Sequence, residues 1–305
     1  MLGSHPAIAS PQETDLISGY VAPLYATWLE QLRDGDGDGW RTRRHRGLPS
    51  VFTWEQFDEQ MRGFVDAAYT AVLAGKPGAR IVLDKNPSNS LHVETIRRLV
   101  PRAKFIHLLR DGRDVAASLV RAGRSEWGAW WAPSHARDAA TIWRTHVAAA
   151  MTAASEPDRY LEVRYEELRS PQGAAHLARA LEFCGVESDS ASARALLERH
   201  AVGLGPPAGG IVWGGEVRAR LPAEPREPDG FVGPARVGGW RTTLTAQELE
   251  AVAEAAGDLL GELGYTDAGR LVASAWSRWP RARSHGAQGA TAPERARERH
   301  GARQA

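Results

Sequence analysis

The 305-residue chain is 43% hydrophobic and 25% charged, with a formal net charge of +1. That is the make-up of an ordinary globular protein, with no bulk basicity to argue for nucleic-acid binding. A lone cysteine, Cys184, excludes an intrachain disulfide and a cysteine-built metal site.

In chain order, residues 1–10 show neither a strand pattern nor a helix cap. Leu2-Gly3 reads as the closing turn of a helix, stopped near Pro6. The first residues lack the basic and apolar regions of a secretory signal. No apolar run anywhere nears the roughly 20 residues of a membrane span. A cytoplasmic protein without a membrane span is therefore expected. Residues 11–14 form a turn into a helix over 15–32. Asp34-Gly35-Asp36-Gly37-Asp38-Gly39 is similar to the start of a calcium loop. However, the twelfth position, which wants Glu, is His45, and Arg41, Arg43, Arg44 and Arg46 crowd the segment. The spacing predicts a flexible surface loop instead. Thr53 and Gln56 make a capping-box pattern that opens a helix over 53–73, with Trp54, Phe57, Met61, Phe64, Val65 and Ala68 near one face.

Residues 81–120 hold the most informative pattern. Two apolar runs, 81–83 and 105–109, read as strands. The first empties into Asp84-Lys85-Asn86-Pro87 and the second into Arg110-Asp111-Gly112-Arg113-Asp114, and each polar turn opens a helix. In open α/β sheets, ligands sit at the carboxyl ends of strands, and helix N-termini favour anions. The stretch reads as an anion-handling edge. Arg110 belongs at a strand end and Ser118 two turns into the next helix, so a phosphate beside that turn can take bonds from both. An Arg after a strand can equally be a surface ion-pair residue. His107, inside the second run, reads as a buried, hydrogen-bonded residue.

Further helices are expected over 113–121, 136–154, 171–184 and 191–201, with a strand over 160–163. Trp127, Trp130 and Trp131 either line an acceptor groove or pack in the core or a lid. Residues 203–239 are rich in Gly and Pro and read as a long flexible loop. Thr245 and Glu248 form a second capping box, opening an amphipathic helix to Leu263 that Gly264 ends. Residues 278–305 carry seven Arg and two Glu. From about residue 281 the composition predicts a disordered basic tail, leaving one domain over 1–280.

The order DKNP (84–87), LLRDGRDVAAS (108–118), LEVRYEEL (161–168), FCGV (183–186) and RVGGWR (236–241) resembles the sulfotransferases that use 3′-phosphoadenosine-5′-phosphosulfate. The bacterial type, related to the tyrosylprotein sulfotransferases, is the most similar. The resemblance runs to about Tyr265. It implies an α/β fold with a P-loop-like parallel sheet flanked by helices. It also implies sulfonate transfer from that co-substrate to a hydroxyl or amine acceptor, with no metal.

By motif, Arg110 and Ser118 would hold the nucleotide's 3′-phosphate, and Tyr165 would lie near the adenine. The RVGGWR segment would close over the nucleotide through Arg236, Trp240 and Arg241. Lys85 matches the family lysine on the leaving oxygen, and Glu13 matches the general base. The roles suit the chemistry: a carboxylate takes the acceptor's proton, and an ammonium stabilises charge developing on the leaving group.

The family's 5′-phosphosulfate loop, usually Arg-Ser-Gly-Thr-Thr, does not occur here. Residues 1–6 match the end of the family's first helix. The resemblance thus implies that the first strand, the loop and most of that helix are missing, through a misplaced start, a truncation or degradation of the homologue, with the first favoured because the downstream motifs are intact. Three function classes stay open on the sequence: the transferase, a catalytically inactive relative that binds 3′-phosphoadenosine, and a P-loop kinase-like enzyme. The last needs GxxxxGK[ST], which is absent. The acceptor class is not legible.

Overall fold

Local signals place the helices first. The computed structural model describes residues 1–33, 47–200 and 236–265. The calcium-loop-like run at 34–39, loop residues 203–235 and the tail at 281–305 lie outside the described residues, as does Ala201. Helix α1 spans Ala22–Arg33 and helix α2 Trp54–Ala74. The α2 capping box closes as expected: Gln56 N donates to Thr53 Oγ1 at 3.3 Å and Thr53 N to Gln56 Oε1 at 2.9 Å. The helix expected over 15–32 is a π-helical turn, Leu16–Val21, running into α1. Phe64 departs from the apolar face of α2. It is 43% exposed, whereas Phe57 and Val65 are sealed.

Among the described residues, four strands form two parallel pairs. Strand β1 (Ile8–Ala9) pairs with β2 (Ile81–Val82), and β3 (Phe105–Leu109) pairs with β4 (Tyr160–Arg164) in the register Phe105↔Tyr160 to Leu109↔Arg164. Parallel neighbours need long crossovers. Here α1 and α2 lie between β1 and β2. Helices α4 (Gly112–Gly123) and α5 (Ala136–Met151) lie between β3 and β4, and α3 (Val93–Leu99) links the two pairs.

Two expectations are corrected. Residues 1–10 do contain a strand. Ile8 and Ala9 are fully buried, and Ile81 N and Leu83 N donate to Ala7 O and Ala9 O. Two residues are too few to show alternation, so the strand left no pattern to read. The single parallel sheet is instead two separate pairs, with no ladder joining β2 to β3 among the described residues. Both therefore keep an open edge. Ile81 and Val82 are only half-buried, and Leu108 is 57% exposed.

Among the described residues the apolar core forms three clusters, two of which include strand residues. In one, Ile8, Leu161 and Val163 pack with Leu168 of α6 (Tyr165–Leu168), with α7 (Gly173–Phe183) and with α8 (Ser190–Arg199). Ile81, Leu83 and Ile106 lean on the same cluster, so one helical layer spans both pairs. A second joins Leu109, α4 and α5 to Trp240 and Leu244 and to α10 (Ala246–Glu262). The short helix α9 (Trp240–Thr243) precedes α10, whose capping box closes through Thr245 and Glu248. A third packs α1 against α2 around Trp28 and Phe57, whose rings stack at 4.4 Å. No helix of the described residues is long and apolar enough to cross a membrane.

Strand pairing also settles His107. Its ring Nδ1 lies 2.8 Å from the Tyr160 hydroxyl on β4, and burial, aided by the nearby Arg164 charge, pushes its pKa down to about 4. The folded state thus favours neutral His107. Its contribution to stability is complete above the unfolded value near 6.5 and is lost as pH falls towards 4. Thermal unfolding followed between pH 7 and pH 4.5 should show a falling Tm, and His107→Gln should remove several degrees of that fall.

Candidate functional site

The two strand ends carry different chemistry. After β2, Asp84 turns inwards. The Tyr69 hydroxyl donates to Asp84 Oδ2 at 2.9 Å, while Oδ1 is buried without a partner among the described residues. Burial raises the pKa of the Asp84 carboxyl. Lys85, next in the chain, turns outwards and forms an ion pair with Glu13. Asn86 caps the following 3-10 helix, Pro87–His92, by accepting from Ser88 N at 2.9 Å. Its amide donates to Asp15 Oδ1 at 2.6 Å. Two side-chain contacts thus tie residues 13–15 to residues 85–86. Asp15 holds φ at +50°, a left-handed conformation uncommon outside glycine, and its carboxylate also accepts from Ser18 Oγ at 3.2 Å.

The end of β3 is a buried charge cluster. Asp111 caps α4, and its carboxylate receives Arg113 N at 2.9 Å and the Arg113 fork at 2.8–3.3 Å. Asp111 N donates to Glu166 Oε1 of α6 at 2.9 Å, and burial raises the Glu166 pKa. Tyr265 donates to the other Glu166 oxygen at 3.3 Å. Gly112 has no alternative, because a Cβ there would lie 2.6 Å from the Trp143 ring. That indole donates from Nε1 to Arg110 O at 3.0 Å and so holds the turn against α5.

Arg110 lies with its guanidinium carbon 4.5 Å from the centre of the Tyr165 ring, donates to Arg236 O at 3.1 Å and stands 3.8 Å from Asp114 Oδ2. Its Nε is buried and has no hydrogen-bond partner among the described residues. Asp114, only 4% exposed, accepts Gly238 N at 2.8 Å and Trp240 N at 2.9 Å. The Trp240 ring carries two guanidinium groups, Arg113 at 4.2 Å and Arg241 at 4.3 Å. Gly238 sits at φ +73°, which lets the segment fold back on α4.

Of the residues singled out from the sequence, Arg110, Tyr165, Arg236, Trp240 and Arg241 therefore gather at the β3 end. Glu13 and Lys85 meet at the β2 end. Ser118 is half-buried two turns along α4, and no side-chain hydrogen bond joins it to Arg110. Trp130 and Trp131 are 84% and 46% exposed, which removes them from the core.

Sequence reasoning missed Asp15, Asp84, Asp114 and Glu166. An acidic residue in the first turn of a helix already has a reason to be there, the helix dipole. Nothing local marks Asp114 as buried by a segment more than a hundred residues away. No group of three or more His, Cys, Asp or Glu among the described residues is placed to hold a metal ion.

Comparison with known proteins identifies a family and several relatives. The model of the sulfotransferase family matches residues 1–190. The nodulation protein NoeE of Sinorhizobium fredii is 30% identical over 217 residues, 67% of this chain and 49% of that protein. Protein-tyrosine sulfotransferase 1 of Danio rerio is 28% identical over 169 residues, 55% and 43% of the two chains. The chain covers 36% to 49% of the curated relatives it matches. Among solved structures, the sulfotransferase domain of the Synechococcus PCC 7002 olefin synthase aligns with a TM-score of 0.46 at 21% identity, covering 85% of this chain and 87% of that one.

The Glu13–Lys85 pair is exposed, at 42% and 64% of the two side chains. Ion pairs that wet contribute at most about 1 kcal/mol. Glu13→Gln and Lys85→Met should each shift Tm by no more than a few degrees in thermal unfolding.

Proposed function

The chain belongs to the sulfotransferase family, and we propose that it transfers a sulfonate group from 3′-phosphoadenosine-5′-phosphosulfate to a hydroxyl or amine acceptor. The observation that carries this reading is Arg110. It is a guanidinium fixed at a strand end by Tyr165 and Arg236 O, yet it keeps a buried Nε with no partner among the described residues. An orphaned donor of that kind costs free energy unless something accepts from it. The 3′-phosphate of the nucleotide is an anion of the right chemistry, and the Arg236 and Arg241 side chains lie on the same segment to share it. Ser118 would add a hydroxyl donor from α4, and Tyr165 would border the adenine.

The co-substrate, when bound, supplies the sulfonate on a phosphate leaving group. The protein's own residues supply the rest. Glu13 would accept the proton of the acceptor's hydroxyl or amine as that atom becomes nucleophilic. Lys85 would hold its ammonium where negative charge develops on the departing oxygen. The exposed Glu13–Lys85 ion pair supports this reading, because each partner would exchange the other for a reacting atom at little cost. Asn86 and Asp15 support that contact by joining the two backbone segments.

Two measurements test the reading. Titration of adenosine 3′,5′-bisphosphate into Arg110→Ala should show binding weaker by about 2 kcal/mol or more, the scale of a lost buried, charge-assisted contact. Unchanged affinity in a folded variant removes Arg110 from the site. In sulfonate-transfer assays, Glu13→Gln should lower turnover by roughly 100-fold while leaving nucleotide affinity within about twofold. Turnover equal to the parent would assign the base elsewhere.

A further inference from the structure

We infer that Asp114 is the positioning residue that docks residues 236–241 onto α4 and so sets the chain's preference for a 3′-phosphorylated nucleotide. This rests on the nucleotide reading above and goes beyond it, because Asp114 itself has no place on the ligand.

A carboxylate 4% exposed is costly unless its oxygens are bonded. The two Asp114 oxygens are bonded by a pair of main-chain donors two residues apart, Gly238 N to Oδ2 at 2.8 Å and Trp240 N to Oδ1 at 2.9 Å. Arg110, at 3.8 Å, adds the nearest positive charge. A bidentate grip on alternate N–H groups fixes both the position and the orientation of that backbone. The grip needs the left-handed Gly238, and Gly239 comes close as well, since a Cβ there would lie 3.7 Å from Asp114 Oδ1.

Two consequences follow. With the segment held, Arg236 O receives Arg110 Nη2 at 3.1 Å, which orients the guanidinium over Tyr165. The N–H groups of Gly238 and Trp240 are also taken by Asp114. A phosphate at this end must then be read by side chains, Arg110 first, and not by those two amides. Loss of Asp114 should therefore damage recognition of the 3′-phosphate and leave the rest of the nucleotide's contacts alone.

The experiment compares adenosine 3′,5′-bisphosphate with adenosine 5′-monophosphate on the full 305-residue chain, its Asp114→Asn variant and its Asp114→Glu variant. Hydrogen exchange of the peptide covering 236–241 is followed in the same samples without nucleotide. The parent chain should prefer the bisphosphate by tenfold or more. Asp114→Asn should lose at least tenfold in bisphosphate affinity, keep its monophosphate affinity within twofold, and lose exchange protection over 236–241 but not in α10. Asp114→Glu, which retains the charge, should recover part of both signals.

Equal weakening of the two nucleotides would reduce Asp114 to a structural role and overturn the inference. So would unchanged protection of 236–241. A parent chain that prefers neither nucleotide would sink the nucleotide reading itself. A preference that survives in Asp114→Asn would sink only the role of Asp114.

Discussion

Charge buried at the start of α4 is the constraint on which the rest of the structure leans. Asp111, Arg113 and Asp114 are each 4–6% exposed. Removing such groups from water costs several kcal/mol per ion unless every oxygen and N–H finds a partner. The partners come from across the chain: the Arg113 fork for Asp111, the amides of Gly238 and Trp240 for Asp114, and the Trp240 ring over Arg113. Satisfying these groups brings the segment before α10 to the end of β3. The apolar cluster of α4, α5 and α10 then seals that arrangement from behind.

The β2 end obeys the opposite rule. Glu13 and Lys85 are paired in the open, where water does most of the work of solvating them and the pair adds little to stability. Separating such a pair costs little. The cluster around Arg110 holds its shape by burial, whereas the Glu13–Lys85 contact holds only loosely. They stand at the carboxyl ends of β3 and β2, one buried and fixed, the other exposed and loosely held.

Between them the two strand pairs share one helical layer yet do not pair with each other. Strands of a parallel sheet are normally covered on both faces and paired on both edges. Here no described strand lies along the inner edges of β2 and β3, and Leu108 is more than half exposed. The sequence pattern promised apolar runs ending in polar turns, and those are present. It carried no signal for how many neighbours each run would find, because ladder partners are set by chain segments far apart in sequence.

What the sequence determined by itself was whatever depends on neighbours within a turn or two. Both capping boxes closed on the residues expected, since Thr53 and Gln56, or Thr245 and Glu248, meet as soon as one helical turn forms. The apolar runs at 81–83 and 105–109 supplied strands β2 and β3, each followed by its polar turn. Tertiary structure decided what depends on distant partners. The two-residue strand β1 exists because Ile8 and Ala9 have β2 beside them, not because of any local pattern. Phe64 is exposed because its neighbour, the Tyr20 ring at 6.4 Å, is itself on the surface. Asp114 became a buried latch, not a solvent-facing dipole partner, because residues 236–241 came to rest on it. Short-range geometry is written in spacing, but desolvation depends on what covers a residue, and only the folded chain supplies that.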